Sequence, residues 1–343
     1  AVQDASWTQD GKYIAYCRIG DGSATSGRMR IDLFDETANG GNGGVTLKYD
    51  TTTVGVTSPV TLTTTSGKIS HLTFRPKPPL NTIAGDLLTS SKYVLAVARQ
   101  LTAAISGVAN IQLLEFDSAL GTETARLATL KEKPALTTAV GITYATTINV
   151  SAMEWSPDGE FLAVLTDDSK LYLYRVSPLN QITQMGVLSS ASTPIALETV
   201  SNSRQIAWSS DGKKIFFAGK NGPHGRIQII EVANGGTTFR VLKTTIHTEI
   251  LELDSKIDLR IAVSPSEKTI ALSRADGDNA TDITLYSYDD TGALTKKGAS
   301  KTLTGVDTVF DMSWELGGQA LFVAHNDGSS EYTSKYFSAF EYK

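Results

Sequence analysis

A short pattern recurs along the chain: an aromatic or apolar anchor residue, a polar turn that usually contains Asp-Gly, and a run of apolar residues. Examples are "WSPDGEFLAVL" from Trp155 and "WSSDGKKIFFA" from Trp208. Pro presets φ in such a turn, and Gly accepts the left-handed position behind it. Aligned on the anchor, the copies centre on Trp7, Phe74, Trp155, Trp208, Val263 and Trp314. Tandem repetition constrains the fold strongly, because each copy must form the same structural unit.

Each copy predicts four strands, which we name a, b, c and d. Strand a ends at the anchor, and strand b is the apolar run, as in "FLAVL" from Phe161 or "ALFVA" from Ala320. Continuous apolar character predicts that strand b is buried on both faces. Strand c is rich in β-branched and aromatic residues, and strand d is more polar. No window keeps a helical period, so we expect little or no helix.

Tandem four-stranded units of about 50 residues predict an all-β fold, a single β-propeller over residues 1–343. We expect six blades, or seven if the insertions at 46–67 and 134–150 hide another. A pair of β-sandwiches or a β-solenoid fits the unit length and the recurring anchor less well. The expected blades are 1–67, 68–148, 149–200, 201–254, 255–305 and 306–343.

The last repeat shows no strand d before Lys343, which predicts a three-stranded blade with an open edge. An open edge exposes unpaired backbone groups that can pair with another chain. A naturally short blade, a trimmed chain and strand pairing with a neighbouring molecule are all consistent with this pattern.

The quoted repeats resemble the WD40-like repeats of TolB-type β-propellers, and the resemblance covers most of the chain. The Gly-His and Trp-Asp pairs that mark true WD40 repeats are absent. A looser resemblance to propeller proteins of bacteriophage particles rests on "YDDTGALTKKG" from Tyr288 and on threonine-rich joints. The resemblance implies a propeller fold and no particular activity.

The loops between strands b and c are polar, acidic and rich in glycine. Strand b ends with a basic residue in most repeats. Thr166 takes this position in the third repeat, and in the fourth the basic residue, Lys220, comes one residue later. These positions predict a partner-binding surface formed by Arg18, Asp21, Arg99, Asp167, Asp168, Lys220, His224, Arg274, His325 and Asp327. In the alternative interpretation, the Asp residues pair with the bases and order the loops, and each exposed pair contributes roughly 0–1 kcal/mol.

Catalytic and metal signatures are weak. Asp276, Asp278 and Asp282 form part of a calcium-loop pattern, but the full loop would need more ligands, and an ordinary polar turn is the favoured interpretation. The histidines lack paired metal spacing, and neither a G-x-S-x-G elbow nor a phosphate loop occurs. We therefore predict a protein that is not an enzyme and that carries no cofactor. A carbohydrate-binding or hydrolytic propeller acting at a central channel is the alternative.

Aromatic residues recur on strand c, where alternation predicts packing between blades for most of them; a sugar-binding platform is the alternative. They are Phe34, Tyr172, Tyr174, Tyr286, Tyr288, Phe337, Phe340 and Tyr342.

The bulk composition narrows the possible partners. With a net charge of -5 over 343 residues, the chain lacks the excess of basic residues that is typical of nucleic-acid-binding proteins. No apolar run reaches the roughly 18 residues of a membrane span. The single cysteine, Cys17, lies in "YIAYCRI" and is predicted to be a buried hydrophobe.

We expect a scaffold that binds protein partners or copies of itself. A structural component of a viral particle or extracellular assembly is the alternative, and an extracellular or virion-associated location is favoured over the cytoplasm.

Overall fold

The computed structural model divides the chain into two compact units. Unit 1 contains Ala1–Asp168 and Tyr172–Gln184, and unit 2 contains Ser169–Leu171 and Met185–Lys343. The structure describes residues 2–19, 27–35, 44–50, 68–76, 92–100, 111–117, 131–132, 149–168, 170–176, 182–187, 195–196, 201–221, 224–233, 238–246, 259–275, 280–304, 309–315, 317–326 and 335–341. Every regular element in these ranges is a β-strand. They contain no helix that is long and apolar enough to cross a membrane.

The first two sheets of unit 1 each have four antiparallel strands in chain order. The first consists of β1 (Val2–Trp7), β2 (Tyr13–Ile19), β3 (Gly27–Asp35) and β4 (Gly44–Asp50). The second consists of β5 (Lys68–Phe74), β6 (Lys92–Gln100), β7 (Ile111–Asp117) and β8 (Lys131–Glu132). A third run of neighbouring strands comprises β9 (Val150–Trp155), β10 (Phe161–Thr166), β11 (Lys170–Val176) and β12 (Ile182–Val187).

Unit 2 repeats this arrangement. A short strand, β13 (Ile195–Ala196), pairs with Lys170 and Leu171 at the start of β11. Its first four-stranded run consists of β14 (Ser201–Trp208), β15 (Lys214–Asn221), β16 (His224–Ala233) and β17 (Thr238–Ile246). Within the same unit, β17 also pairs in parallel with Gly186 and Val187 of β12. The next consists of β18 (Leu259–Val263), β19 (Thr269–Ala275), β20 (Ala280–Tyr288) and β21 (Leu294–Thr304). The last consists of β22 (Val309–Trp314), β23 (Ala320–Asn326) and β24 (Lys335–Glu341).

Alternating side chains of the second strand in a sheet enter two different cores. In β6, Leu95 and Val97 pack toward the first sheet, whereas Val94 and Ala96 pack toward β9, β10 and β11. In β19, Ile270 joins the core shared with β14, β15 and β16, and its neighbour Ala271 joins the core shared with β22–β24. Each unit therefore stacks sheets face to face, and the predicted burial of strand b on both faces is confirmed for these strands.

The prediction is wrong for the last sheet. In β23, Leu321 and Val323 are buried but Phe322 between them is 45% exposed. The buried face packs on the β18–β21 sheet. Within the described part of unit 2, no second sheet covers the face that carries Phe322, so apolar sequence alone overestimates its burial.

The strand c tyrosines fill these cores as predicted, since Tyr172, Tyr174, Tyr286 and Tyr288 are all buried. Phe340 is partly buried against the core beside β22. Side chains of Phe34, Phe337 and Tyr342 lie outside the described residues. Cys17 is fully buried, which confirms its predicted role as a small core residue.

The predicted all-β fold with strands in the order a, b, c and d is confirmed, and the last sheet has three described strands. The number of blades and the single domain over residues 1–343 stay predictions. Residues 51–67 and 134–148, where extra strands were considered, lie outside the described residues.

Candidate functional site

The position at the end of strand b lies four residues after the residue that pairs with the anchor in five sheets, and Lys220 lies one residue further on. In unit 1, Arg18 lies opposite Val2, Arg99 opposite Ile69, and Thr166 opposite Val150. In unit 2, Lys220 lies opposite Ser201, Arg274 opposite Leu259, and His325 opposite Val309. All but the Arg274 pair adjoin a register shift. The predicted position therefore lies beside the beginning of strand a.

Two side chains at this position are described, and both are held within their own sheet. Thr166 is buried, and its hydroxyl donates to Oδ1 of Asp168 at 2.5 Å. His325 is 8% exposed, and its Nε2 lies 2.8 Å from Oγ of Ser338 on β24. These two side chains therefore stabilise their own sheets.

Asp167 closes the loop that follows β10. Its carboxylate accepts hydrogen bonds from the backbone N–H of Asn149 at 3.0 Å and from Nδ2 of Asn149 at 3.1 Å. Its own N–H donates to the Asn149 carbonyl at 2.9 Å. In this loop the two acidic residues therefore order the chain through Asn149 and Thr166, neither of which is a basic residue, and a role in partner binding stays a prediction.

The other candidate residues are described only in part. Asp21, Asp276, Asp278 and Asp327 lie outside the described residues. Only the backbone is described for Arg18, Arg99, Lys220, His224, Arg274 and Asp282. Arg274 and Asp282 face each other across β19 and β20. Within the described ranges no group of three His, Cys, Asp or Glu could hold a metal, and the calcium pattern stays a prediction because two of its members lie outside those ranges.

A second recurring position was missed from the sequence: the residue three places before the anchor on strand a. It is polar in all but the third repeat, where Ala152 stands, and the others are Asp4, His71, Gln205, Arg260 and Asp311. In unit 1, Oδ2 of Asp4 accepts the Leu72 N–H at 2.9 Å and lies 3.6 Å from Nδ1 of His71. Asp4 thus joins β1 to β5.

In unit 2 the same position links three inner strands. Oε1 of Gln205 on β14 accepts the Ile261 N–H of β18 at 3.0 Å. Its Nε2 donates to Oδ1 of Asp311 on β22 at 2.7 Å. The repeated spacing before the anchor was the signal that could have identified these residues, since a polar side chain recurs there in five of the six repeats.

Arg75, directly after the Phe74 anchor, was also missed. Its Nε and Nη2 each donate at 2.7 Å, to the carbonyls of Gly159 and Val176 respectively. Its guanidinium carbon lies 5.2 Å from the centre of the Trp155 ring, a cation–π arrangement. Burial lowers the pKa of Arg75 to about 10, against the opposing effect of Asp158 and Glu160. The arginine therefore ties the second sheet to the turn after β9.

The anchor tryptophans bind the preceding sheet within each unit. In unit 1, Nε1 of Trp155 donates to the Thr73 carbonyl at 3.2 Å. In unit 2, Nε1 of Trp314 donates to the Ala262 carbonyl at 3.3 Å. These two anchors therefore join neighbouring sheets through their indole N–H groups.

Comparisons with known proteins agree with this geometry. Residues 153–254 match the family described as the anaphase-promoting complex subunit 4 WD40 domain. The sequence matches no curated protein. The β-propeller domain of Cps50 (Swd1) from Myceliophteria thermophila is similar at 9% identity and a TM-score of 0.56, over 100% of this chain and 84% of that chain.

Two further structures are similar over nearly the whole chain. A putative 6-phosphogluconolactonase from Bacteroides uniformis has 12% identity and a TM-score of 0.58, over 99% of this chain and 85% of that chain. A chain of a mitotic checkpoint complex has 14% identity and a TM-score of 0.55, over 94% of this chain and 74% of that chain. The chain therefore has a β-propeller fold, and residues 153–254 are similar to WD40 repeats, in agreement with the resemblance of its repeats. At such identities these likenesses define the fold and leave the function open.

Proposed function

We propose that the protein is a non-enzymatic scaffold that binds protein partners or copies of itself. The observation that carries the proposal is that the polar groups recurring on the inner strands form hydrogen bonds to neighbouring strands. Asp4 and Gln205 accept backbone N–H groups of the next strand a, and Ser6 does the same for Phe74 at 2.9 Å. These repeated groups assemble the sheets, so recognition falls to the parts of each repeat that differ.

The b–c loops are the parts that differ most. "GDGSATSG" follows β2, "TDDSK" spans the end of β10, and "ADGDNATD" follows β19. Loops carried on a rigid β framework are a common place for binding residues. We therefore assign partner contacts to these loops and to the bases beside them, among which Arg18, Arg99 and Arg274 stand in matching register.

The fold is compatible with assembly, since a chain of the mitotic checkpoint complex shares it. The net charge of -5 favours protein partners over nucleic acid. The proposal includes no cofactor. A structural role in a viral particle or extracellular assembly is a narrower form of the proposal and stays a prediction.

The test is quantitative capture of partners by the full chain after chemical cross-linking in its native extract. We expect a discrete set of partners, cross-linked to peptides that contain the b–c loops. The triple variant Arg18→Glu/Arg99→Glu/Arg274→Glu is expected to lower recovery at least tenfold, because it reverses charge at three positions of one recurring site.

Lys301→Glu is the matched control, because Lys301 is exposed on β21 and lies on an outer strand. It should leave recovery unchanged. Recovery of the chain alone, without any specific cross-link, would contradict the proposal.

A further inference from the structure

The outer strands of the last two sheets in unit 2 differ in character. β21 carries Lys296, Lys297 and Lys301, and its pairing with β20 shifts register between Ile283 and Leu285. Gly298, in the shifted segment, has a φ of 68°. Lysines and bulges are features that keep an edge strand from pairing with other chains.

β24 has no bulge and no charged residue between its two ends. It pairs with β23 in unbroken register from Lys335 to Glu341, and the residues between these two charges are "YFSAF". Among the described residues, β23 is its only partner in the sheet. A regular, uncharged edge of this kind is a template for strand addition.

The hydrogen-bond alternation shows which groups point outward. The Glu315 N–H donates to the Ala320 carbonyl, so Ala320 directs its backbone groups toward β22. Along an antiparallel strand, the backbone N–H and C=O groups of successive residues point to opposite sides. Leu321 and Val323 therefore direct their backbone groups toward β24 and pair with Phe340 and Ser338. The intervening residues of β24, among them Ala339, therefore direct N–H and C=O groups to the side away from β23, where no described strand lies.

The apolar core beside this edge is also incompletely covered. Phe340 on β24 and Leu303 on β21 are only partly buried, although both pack against the core formed by residues such as Trp314 and Leu321. Apolar side chains on one face of an added strand would extend that core and cover these two residues.

We propose that β24 accepts an extended segment of a partner protein, with apolar residues at alternate positions, as the fourth strand of the last sheet. The inference rests on the proposed scaffold function and specifies one kind of partner contact. Backbone hydrogen bonds to the outward groups of β24 hold the segment, and its apolar side chains pack beside Phe340 and Leu303.

A fluorescent peptide with the sequence of Thr238–Ile246 is a defined probe, because β17 is the strand that pairs with the third strand of its own repeat. We expect saturable binding to the full chain by fluorescence anisotropy, and slower hydrogen exchange in residues 335–341. Ala339→Pro should weaken binding at least tenfold, since proline removes an outward N–H without removing a bond to β23.

Ala339→Val is the matched control, because valine favours strands and keeps the N–H. It should bind the peptide like the unchanged protein, and all three proteins should share one thermal midpoint within a few degrees. Absence of saturable binding, equal binding by Ala339→Pro, or exchange protection elsewhere would overturn the proposal. Because partner capture through the b–c loops is measured separately, these results would leave the scaffold function standing.

Discussion

At the residue scale, assembly of unit 1 depends on one buried arginine. Arg75 donates to two backbone carbonyls of the neighbouring sheet and lies against the Trp155 ring. It is 6% exposed. A buried carbonyl that loses its donor retains the cost of desolvation, so the arginine stabilises the contact mainly by satisfying these groups.

Replacing this arginine should therefore be costly. Arg75→Met keeps much of the buried stem, but should lower the free energy of unfolding by about 2–4 kcal/mol through loss of both charge-assisted bonds. Arg175→Met is the control, because Arg175 is half exposed and its pairing with Glu160 contributes roughly 0–1 kcal/mol. Urea unfolding of the three proteins gives the comparison, and equal losses would contradict the assigned role.

The thiol of Cys17 predicts a pH dependence. Burial, and secondarily the charge of Asp4, raise its pKa from 9.0 to about 12. In the unfolded chain the thiol ionises near 9, so its contribution to stability is fully present below that pH and is lost as pH rises toward 12. Cys17→Ala should reduce the fall in unfolding free energy between these limits, and native Cys17 should resist iodoacetamide until the protein unfolds.

At the element scale, the turn between strands a and b has a repeated hydroxyl–carboxylate network. The hydroxyls of Thr8, Ser156 and Ser209 donate to the Asp two residues later at 2.7, 2.5 and 2.6 Å. Each hydroxyl also accepts the N–H of the residue five places on, at distances of 3.0, 2.9 and 2.9 Å. The Ser/Thr-x-Asp-Gly pattern therefore stabilises the hairpin between strands a and b, and its Asp residues have a structural role.

Loss of this hydroxyl should destabilise a hairpin. Ser209→Ala leaves the buried Lys214 N–H without its side-chain acceptor and should cost about 1–3 kcal/mol. Thr291→Ala, which removes an exposed hydroxyl bonded to Asp289, should change stability by less than about 0.5 kcal/mol. Thermal unfolding monitored by calorimetry measures both, and an equal effect of the two changes would contradict the argument.

The same network sets a response to acid. Burial acts to raise the pKa of Asp211, but hydrogen bonds from Ser209 and Lys213 and nearby lysines outweigh it and lower that pKa below 3.8. Its stabilising contribution is therefore present above pH 3.8 and lost as pH falls further.

The turn glycines provide a test of sheet packing. Gly11 and Gly159 both have a φ of 68°, but a Cβ at Gly11 would meet nothing within 4 Å. At Gly159 it would lie 2.4 Å from the Pro76 carbonyl oxygen. Gly11→Ala should cost about 1–2 kcal/mol from backbone strain alone. Gly159→Ala should cost about 1–3 kcal/mol more, because it forces neighbouring sheets apart. Equal losses in urea unfolding would contradict this packing.

The sequence predicted the elements better than the candidate site. Anchor residues, turn glycines and apolar runs are local signals, so strands such as β9 and β10 could be placed closely. Contacts across sheets are not local. Asp4 binds Leu72, and Gln205 binds Asp311. The repeat spacing shows that such positions are equivalent, but it does not show which of them are in contact. Exposure of Phe322 likewise depends on what covers its face, which strand composition does not encode.

At the scale of the whole molecule, the repeated strands form the framework, and the loops that vary between repeats are the proposed binding regions. Within each unit, two-sided strands such as β6 and β19 share side chains between adjacent cores, which resists independent movement of a single sheet. Loop sequences vary over this framework, and the β24 edge differs from the protected β21 edge. Partner binding should therefore leave the central strands unchanged and affect only the loops and that edge.

Hydrogen–deuterium exchange over the full chain, free and with its captured partner, tests this account most directly. We predict that residues 161–166, 215–218 and 270–273 exchange slowly in both states. New protection should be confined to the b–c loops and to residues 335–341. Rapid exchange of those central strands in the free protein, or protection on binding spread evenly over the chain, would contradict the account.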